Sequence, residues 1–301
     1  MIVSQELKKL IPDCRYNEPL APYTTWNIGG EAKYFWEPDY ERLPDVVRHC
    51  TVLKIPVYYI GRGSNILISD KGLNGLVICT KKALQEISFR NGVIEAESGV
   101  PLPKLAKFAA KLGFGGYEFL IGIPGTVGGG IVINAGLTAK KRLEISDLLL
   151  EAELLYPDGT LRWVPAEDLG MGYRSSNILD SGLFVTRARF RPTPITDEKI
   201  IRHKIAEHLA DRRRKQPLSK ATAGSTFKQP PEGNPAGWYI DQAGLKGTRF
   251  GGAKVSEKHA NWIENCGNAT SDDVLALMNL IIMEVSEQFG VKLENEIRYL
   301  S

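Results

Sequence analysis

A glycine-rich stretch, Gly122–Gly136 (GIPGTVGGGIVINAG), constrains the fold more than any other part of the sequence. Glycine reaches backbone angles that are closed to other residues, and it lets a main chain approach another group closely. An apolar run, 119–121, precedes the stretch, and a second, 131–133, lies within it, so we expect a glycine loop joined to strands. The N–H groups of such a bare backbone can turn towards an anion.

A second glycine loop, Gly61–Asn65, follows the apolar run Val57–Ile60. Two such loops joined to strands indicate a cofactor that carries a pyrophosphate, and the alternative is a pair of tight turns in a β-rich domain. Neither loop has the G-x-G-x-x-G fingerprint of a Rossmann fold, and no G-x-x-x-x-G-K-[ST] motif of a P-loop occurs. The dinucleotide would therefore lie on a different α+β scaffold.

The composition is that of an ordinary globular protein, with 301 residues, 43% apolar and 24% charged residues. A net charge of +3 is too small to indicate a nucleic-acid or membrane partner. The four cysteines are isolated, so we expect reduced, buried thiols and no metal site. Without a signal-peptide pattern or an apolar run long enough to span a bilayer, we expect a cytoplasmic protein.

Several helices and strands follow from periodicity and from turn residues. Pro101–Leu112 is predicted as a helix ended by Gly113, and 148–164 as a hairpin around Pro157–Thr160. Thr196 is predicted to cap a long helix that follows a linker at 192–194. We also predict a short helix within 1–22, a helix that opens at 271–273 and ends at Gly290, and a final strand over 291–300.

Seven blocks, in a fixed order, resemble those of the UDP-N-acetylenolpyruvoylglucosamine reductase (MurB) family of flavoenzymes in peptidoglycan synthesis, in its shorter type II form. Together they span nearly the whole chain, and no single block would be specific. The blocks are Tyr23–Gly30 (YTTWNIGG), Gly61–Asn65 (GRGSN), Gly122–Gly136, Tyr173–Ser176 (YRSS), Ala223–Lys228 (AGSTFK), Gly251–Ser256 (GGAKVS) and Leu293–Arg298 (LENEIR).

The resemblance implies an α+β fold: an FAD-binding domain of the vanillyl-alcohol-oxidase/PCMH type, followed by a smaller α+β substrate-binding domain. We place the FAD domain at 28–194 and the substrate domain at 195–301, with 1–27 packing on the FAD domain. No His or Cys falls inside the glycine loops, so we expect non-covalent FAD. The implied reductant is NADPH, and we expect a monomer.

The implied reaction reduces the enol ether of UDP-N-acetylglucosamine enolpyruvate to UDP-N-acetylmuramate. By match to the family motifs, Ser225 would supply the proton, Arg174 would bind the substrate carboxylate, and Glu296 would stabilise the enolic intermediate. A guanidinium suits a planar carboxylate because it can donate two parallel hydrogen bonds. Glu294, two residues before Glu296, competes with it for this role.

For FAD, we predict main-chain donors in both glycine loops and two side-chain candidates: Gly61, Gly63, Ser64, Asn65, Gly122, Gly125, Thr126, Gly128 and Gly129, with the side chains of Thr25 and Asn134. For the UDP diphosphate, we predict the cations Lys228 and Lys254, with Tyr173 and Asn261 as orienting groups. No metal ligand set is predicted.

Two other functions fit parts of the same pattern. The first is an FAD oxidase of an alcohol or sugar that oxygen reoxidises, and the second is a nucleotide-binding sensor without catalysis. Arg174, Ser225 and Glu296 have no evident use in an alcohol oxidation or in a sensor. These three residues therefore favour the reductase.

Overall fold

The chain divides into two compact units that interleave along the sequence. Unit 1 comprises Met1–Tyr16, Tyr34–Arg62 and Asn74–Arg212, and unit 2 comprises Asn17–Lys33, Gly63–Leu73 and Arg213–Ser301. The structure is a computed structural model that describes residues 7–137 and 142–301. Because the division follows spatial contacts rather than chain order, the domain boundaries drawn at 28 and 194 stay a prediction.

Helices and strands alternate through both units. The strands are β1 Arg15–Pro19, β2 Glu31–Trp36, β3 Val57–Ile60, β4 Ile66–Ile68, β5 Leu73–Cys79, β6 Ile87–Arg90, β7 Val93–Glu97, β8 Gly136–Leu137, β9 Leu143–Glu144, β10 Leu149–Leu155, β11 Leu161–Pro165, β12 Phe184–Phe190, β13 Arg249–Phe250, β14 Ala253–Val255, β15 Ile263–Asn265 and β16 Arg298–Leu300. The helices are α1 Leu43–Val52, α2 Leu102–Lys111, α3 Val127–Val132, α4 Glu198–Lys215, α5 Ala236–Gln242 and α6 Ser271–Phe289. Residues 7–10 are also helical, and the rest of the helix predicted there falls on 1–6, outside the described residues.

Unit 1 is built on an antiparallel sheet with the strand order β11-β10-β12-β7-β6. The predicted hairpin is confirmed: β10 and β11 pair from Glu151–Pro165 to Leu155–Leu161, and Gly159 makes the turn with a φ of 84°. Helix α2 buries Leu102, Leu105, Ala106 and Ala109, which recur at helical spacing. These side chains join the apolar face of the sheet in one core.

A second core of unit 1 surrounds helix α1 and the parallel pair β3–β5. Leu43, Val46, Val47 and Cys50 form the buried face of the helix. Burial raises the pKa of the Cys50 thiol to about 12 and that of Cys79 to about 11, so both stay protonated at neutral pH. Cys266 in unit 2 is exposed, which corrects the expectation that all four thiols are buried.

Unit 2 contains the small sheet β13-β14-β15, the parallel pair β16–β4 and helix α6. The predicted start of α6 is confirmed and has a reciprocal cap: Thr270 Oγ1 accepts from the Asp273 N–H, and the Asp273 carboxylate accepts from the Thr270 N–H. Gly290 ends the helix with a φ of 68°. The buried stripe of α6 packs with Trp26, Phe227 and Ile240 in the core of this unit.

Two predicted strands next to the glycine stretch are wrong. Residues 119–121 lie in a 3₁₀ turn, Glu118–Gly122, and 131–132 end helix α3. The stretch is therefore the connection from a 3₁₀ turn into a short helix. Short apolar runs do not distinguish a strand from a buried helical turn, and the N-cap Thr126 decides in favour of a helix.

The predicted final strand and the predicted cap of the long helix also differ from the structure. Only Arg298–Leu300 forms a strand, because 291–297 pairs with its neighbours through single bridges such as Phe227–Asn295. Helix α4 begins at Glu198, and the carboxylate of Asp197 accepts from the Lys199 N–H. The Thr196 hydroxyl donates to the Pro194 carbonyl instead.

Across 7–137 and 142–301, none of the helices is long and apolar enough to cross a membrane. Over the same residues, there is no group of three or more His, Cys, Asp or Glu side chains that could hold a metal ion.

Candidate active site

In unit 1, the glycine stretch is organised by Thr126. Its hydroxyl accepts from the Gly129 N–H at 3.4 Å, and its carbonyl accepts from the Gly130 N–H at 2.8 Å. Gly61 lies beside this cap, since a Cβ added there would be 2.5 Å from Thr126 Oγ1. Gly61, at the start of the other glycine loop, thus approaches Thr126 too closely for a residue with a side chain.

The main-chain donors of the stretch fall into two groups. The N–H groups of Val127 and Gly128 donate to Val100 and Ser98, and that of Gly129 donates to Thr126. Those of Gly125 and Thr126 have no acceptor among residues 7–137 and 142–301. The protein itself thus uses the N–H groups of Gly128 and Gly129, and their predicted contact with FAD stays a prediction.

The exposed surface of α3 nevertheless fits a close ligand. Gly129 is exposed, and a Cβ there would have only the Thr126 hydroxyl, at 3.6 Å, as a neighbour within 4 Å. Gly125, Thr126 and Gly61 present N–H groups without a protein acceptor in the described chain. Together these features fit an anionic group such as the pyrophosphate of FAD. The Gly122 carbonyl accepts from the guanidinium of Arg212, and the predicted contact of the Gly122 N–H with FAD stays a prediction.

Asn134 links several segments of unit 1. Its side chain is fully buried, and its amide nitrogen donates to the Gly172 carbonyl at 3.0 Å and to a carboxylate oxygen of Glu144 at 3.2 Å. Its amide oxygen accepts from the Ser146 N–H at 3.1 Å. Both amide hydrogens are thus used within the protein, and a contact of Asn134 with FAD stays a prediction.

Tyr173 and Arg174 occupy the centre of a tight turn that Asn134 holds at Gly172. Gly172 and Ser175 exchange two main-chain hydrogen bonds, and Arg174 adopts a φ of 53°. A non-glycine residue in this left-handed region costs about 1–2 kcal/mol, and such strain clusters at functional sites. The half-buried Arg174 guanidinium donates to the Gly136 carbonyl at 3.0 Å and lies 5.2 Å from the Tyr173 ring.

Sequence reasoning missed Arg142. Its guanidinium lies 4.3 Å from the centre of the Tyr173 ring and 3.6 Å from a carboxylate oxygen of Glu144. Arg142 and Arg174 therefore both contact this tyrosine and concentrate positive charge at the turn. The run Lys140–Arg142 signalled a basic segment, although 140 and 141 fall outside the described residues.

In unit 2, Gly63, Ser64 and Asn65 lie against the segment that carries Thr25. Gly63 has a φ of 61°, and a Cβ there would overlap the Tyr23 carbonyl oxygen. The Thr25 N–H and hydroxyl both donate to the Gly63 carbonyl, at 3.1 and 3.3 Å. The N–H groups of Gly63, Ser64 and Asn65 have no acceptor in the described part of the chain, so all three remain candidate donors.

The same unit brings Ser225 and Glu296 onto adjacent segments. The Glu296 N–H donates to the carbonyl of Thr226, the residue after Ser225, at 2.8 Å. The Asn65 amide donates to the Glu296 carbonyl at 3.0 Å and thereby ties the first glycine loop to them. Ser225 is half-buried, and its hydroxyl makes no hydrogen bond with the residues that the structure describes.

Glu296 and its competitor Glu294 differ in exposure. Glu296 is half-buried, whereas the side chain of Glu294 is 72% exposed and lies 3.6 Å from the Lys228 ammonium. A solvated carboxylate of this kind is poorly placed to act as a protonated acid, because water stabilises its charge. Lys228 is itself partly neutralised by this pair, so it offers less charge to a diphosphate.

Asn261 holds the segment that carries Ser225. It is buried, and its amide donates to the Phe227 carbonyl at 2.8 Å and accepts from the Phe227 N–H at 3.0 Å. The side chain thus pairs with this main chain as a neighbouring strand would. A contact of Asn261 with UDP stays a prediction. Lys254 lines a separate cleft of unit 2 with its ammonium 3.9 Å from Glu257.

His259 was not assigned a role from the sequence, but it lies in a cationic part of unit 2. Burial lowers the pKa of its imidazole, and the charges of Lys246 and Lys215 lower it further. Its Nδ1 accepts from the Asn261 N–H at 3.3 Å. The ring is therefore neutral at pH 7, and nothing in the sequence spacing indicated this environment.

Comparison with known sequences relates each half of the chain to a domain family. The family described as "FAD binding domain" matches residues 35–165, and the family described as "UDP-N-acetylenolpyruvoylglucosamine reductase, C-terminal domain" matches residues 216–300. These two domains together define a flavin-dependent oxidoreductase.

Relatives extend the match over nearly the whole chain. A UDP-N-acetylenolpyruvoylglucosamine reductase of Carboxydothermus hydrogenoformans is 44% identical over 285 residues, covering 94% of this chain and 93% of the relative. One of Agathobacter rectalis is 42% identical over 296 residues, with the same two coverages. The chain belongs to the UDP-N-acetylenolpyruvoylglucosamine reductase family.

The crystal structure of the reductase of Thermus caldophilus has a TM-score of 0.79 to this chain at 34% identity. The match covers 96% of this chain and 98% of the Thermus caldophilus chain. The predicted family, the α+β fold with an FAD-binding domain and the FAD cofactor are thereby confirmed.

Proposed function

We propose that the protein reduces UDP-N-acetylglucosamine enolpyruvate to UDP-N-acetylmuramate with NADPH, as a step of peptidoglycan precursor synthesis. The observation that carries the proposal is the half-buried Ser225 hydroxyl, which is free of protein hydrogen bonds in the described chain and lies on the segment paired with Glu296. When bound, FAD supplies the redox chemistry, since it accepts a hydride from NADPH and delivers one to the methylene carbon of the substrate.

Ser225 would protonate the carbon next to the substrate carboxylate. A serine hydroxyl is a weak acid, so it can donate only to a strongly basic, carbanion-like centre. The main chain on both sides is fixed, because Ser225 forms a bridge with Trp262 and Thr226 pairs with Glu296. Gly224, with a φ of 85° and open space around its Cα, leaves room beside the hydroxyl.

Glu296 and Arg174 would stabilise the negative charge that develops on the substrate. Glu296, half-buried and held by Asn65, would act as a hydrogen-bond donor in its protonated form. Arg174 would bind the substrate carboxylate through its guanidinium, which also donates to the Gly136 carbonyl. The left-handed turn holds this arginine in one orientation.

The Ser225→Ala variant tests the assignment of the proton donor. Under anaerobic conditions, we expect NADPH to bleach the flavin of the variant at the rate of the native protein. Reduction of the enolpyruvyl sugar should fall about 10²–10⁴-fold, the usual contribution of a positioned acid. Ser286→Ala, at an exposed position of α6, is the control. Unchanged sugar reduction by Ser225→Ala would contradict the assignment, and rapid oxygen consumption with an alcohol would favour the oxidase.

Glu296→Gln and Glu294→Gln form a matched pair that tests the second assignment. We expect Glu296→Gln to lower kcat about tenfold or more, because an amide is a weaker hydrogen-bond donor to the developing charge than a carboxylic acid and cannot transfer its proton. Glu294→Gln, at the exposed site, should change kcat less than about threefold. Steady-state kinetics with saturating NADPH measures both, and equal effects would remove the distinction between the two carboxylates.

We also propose that the protein acts as a monomer in the cytoplasm. Modest net charge and an ordinary composition support this proposal. Sedimentation equilibrium of the FAD-loaded protein should give a mass near the 33.3 kDa of one chain. A dimer mass would contradict the proposed monomer without affecting the chemistry.

A further inference from the structure

The turn around Arg174 is held at both ends by the chain at the end of helix α3 in unit 1. Two residues before Arg174, the Gly172 carbonyl accepts from the Asn134 amide at 3.0 Å. Two residues after it, the Ser176 hydroxyl donates to the Val132 carbonyl at 2.7 Å. Val132 is the last residue of α3, and Asn134 follows two residues later. One short stretch of chain therefore fixes both ends of the turn.

The side chain of Arg174 is held by the same stretch. Its guanidinium donates to the carbonyl of Gly136, two residues after Asn134, at 3.0 Å. Every second residue from Val132 to Gly136 thus contacts the turn or its arginine. Because the main chain and the side chain of Arg174 are both held by this stretch, a shift of the stretch would displace the guanidinium.

The backbone of Arg174 requires this support. Its φ of 53° lies in the left-handed region, where a residue with a Cβ is strained. Such a conformation persists only where the surrounding contacts over-determine it. The strain and the net contribution of one hydrogen bond are of similar size, so the loss of one contact from Asn134 or Ser176 would let the turn relax.

The partners of the Asn134 amide fix its orientation. Its amide nitrogen donates to the Gly172 carbonyl and, at 3.2 Å, to a carboxylate oxygen of Glu144, and its amide oxygen accepts from the Ser146 N–H at 3.1 Å. A carbonyl and a carboxylate only accept, and a main-chain N–H only donates. An amide turned by 180° would therefore lose all three hydrogen bonds. Asn134 is fully buried, so water does not replace them.

We propose that Asn134 and Ser176 are positioning residues for the substrate carboxylate, because they hold the conformation in which Arg174 receives it. Both act through the arginine and not by contact with the reacting atoms. This inference rests on the proposed function, in which Arg174 binds that carboxylate. The distances on which it depends lie within unit 1 and are independent of that assignment.

Calorimetry on the intact, FAD-loaded protein tests whether the carboxylate is the group affected. UDP-N-acetylmuramate carries the carboxylate and UDP-N-acetylglucosamine lacks it, so they form a matched pair of probes. In Asn134→Ala and in Ser176→Ala, we expect the affinity for UDP-N-acetylmuramate to fall about tenfold and that for UDP-N-acetylglucosamine to change less than about twofold. Asn177→Ala, at an exposed asparagine three residues after Arg174, is the control and should leave both affinities unchanged.

A double-mutant cycle with Arg174→Met tests whether the effect passes through the arginine. In the native background, Asn134→Ala should lower kcat/KM for the enolpyruvyl sugar about 10²-fold, as expected for a misplaced binding group. In the Arg174→Met background, the same change should lower it less than about threefold, because the guanidinium that it displaces is already absent. NADPH should bleach the flavin of every variant at the native rate, since that step does not involve the carboxylate.

Ser176→Ala removes a single hydroxyl and provides an independent cycle, which decides if Asn134→Ala yields no FAD-loaded protein. We expect a loss of about tenfold in the native background and less than about twofold with Arg174→Met.

Three results would overturn the inference: native affinities in both variants, equal losses for the two nucleotide sugars, or a loss of kcat/KM that is as large with Arg174→Met as without it. Equal losses would mean that the two residues support the fold in general. An undiminished loss in the cycle would mean that they act on a group other than Arg174. Failure of the proposed function gives a different result, namely a native protein that does not reduce the enolpyruvyl sugar.

Discussion

The two units hold their candidate site residues by different means. In unit 1, Thr126 caps the six-residue helix α3. The N–H groups of Gly125 and Thr126 have no protein acceptor in the described chain. In unit 2, the side-chain amides of Asn65 and Asn261 hold main-chain segments in place of strand partners. Unit 1 thus offers main chain to a ligand, whereas unit 2 uses side chains to fix the main chain and offers the Ser225 hydroxyl.

This difference indicates which substitutions each unit tolerates. A glycine that faces open space, such as Gly129, is required only by the ligand. A glycine that faces main chain, such as Gly63, is required by the fold itself. Measurements on the protein without flavin therefore separate the two requirements.

The largest expected effect is at Gly63 in unit 2. Gly63→Ala adds a Cβ that overlaps the Tyr23 carbonyl and forces a left-handed alanine. We expect the free energy of unfolding to fall by about 3–5 kcal/mol. Gly290→Ala has a similar φ, 68°, but open space around it, and should cost only about 1 kcal/mol. Urea unfolding measures both, and equal losses would show that the Tyr23 contact does not matter.

Next in size is the amide link of Asn261. Asn261→Ala leaves the N–H and carbonyl of Phe227 buried without partners, so we expect a loss of about 2–4 kcal/mol. Because the same segment carries Ser225, sugar reduction should fall more than flavin reduction by NADPH. Asn268→Ala, at an exposed asparagine, is the control. A stable variant with native turnover would contradict the comparison between the units.

A smaller effect is expected at Gly129 in unit 1. Gly129→Ala should stabilise the flavin-free protein by up to about 1 kcal/mol, because alanine favours a helix. FAD affinity should fall about tenfold or more if the cofactor approaches this exposed glycine, a change of about 1.4 kcal/mol. Fluorescence titration of the apoprotein with FAD gives the affinity. Unchanged affinity would place the cofactor elsewhere.

The smallest effect concerns pH and His259. Its folded pKa lies below the unfolded value near 6.5, so the contribution to stability is present above that value and declines as the pH falls through the folded pKa. We expect the native protein to lose stability on acidification over this range, and His259→Asn to lose less. Thermal midpoints measured between pH 7.5 and 5 test this. If the thermal midpoints of the native protein and of His259→Asn changed in parallel with pH, this would contradict the lowered pKa of His259.

Much of this arrangement follows from sequence because glycine patterns and caps act locally. The hairpin at Gly159, helix α2 before Gly113 and the reciprocal cap of α6 were predictable from nearby residues. Gly61, Gly63, Gly125 and Thr126 were identified in the same way, since a bare backbone indicates close approach.

The remaining features depend on contacts that spacing does not encode. An asparagine that binds a ligand and one that binds a main chain look the same in sequence, and both Asn134 and Asn261 bind main chain. Glu294 and Glu296 were separable only by their exposure, which depends on the irregular course of 291–297.

The self-contained capping of α3 has a practical consequence. The N–H groups of Val127 and Gly128 donate to Val100 and Ser98, and those of Gly129 and Gly130 donate to Thr126, so all four bond within the protein. Because these N–H groups already have acceptors within the protein, helix α3 does not need bound FAD to keep its conformation. Flavins with altered redox potentials should therefore be exchangeable into the purified apoprotein under native conditions, without a refolding step.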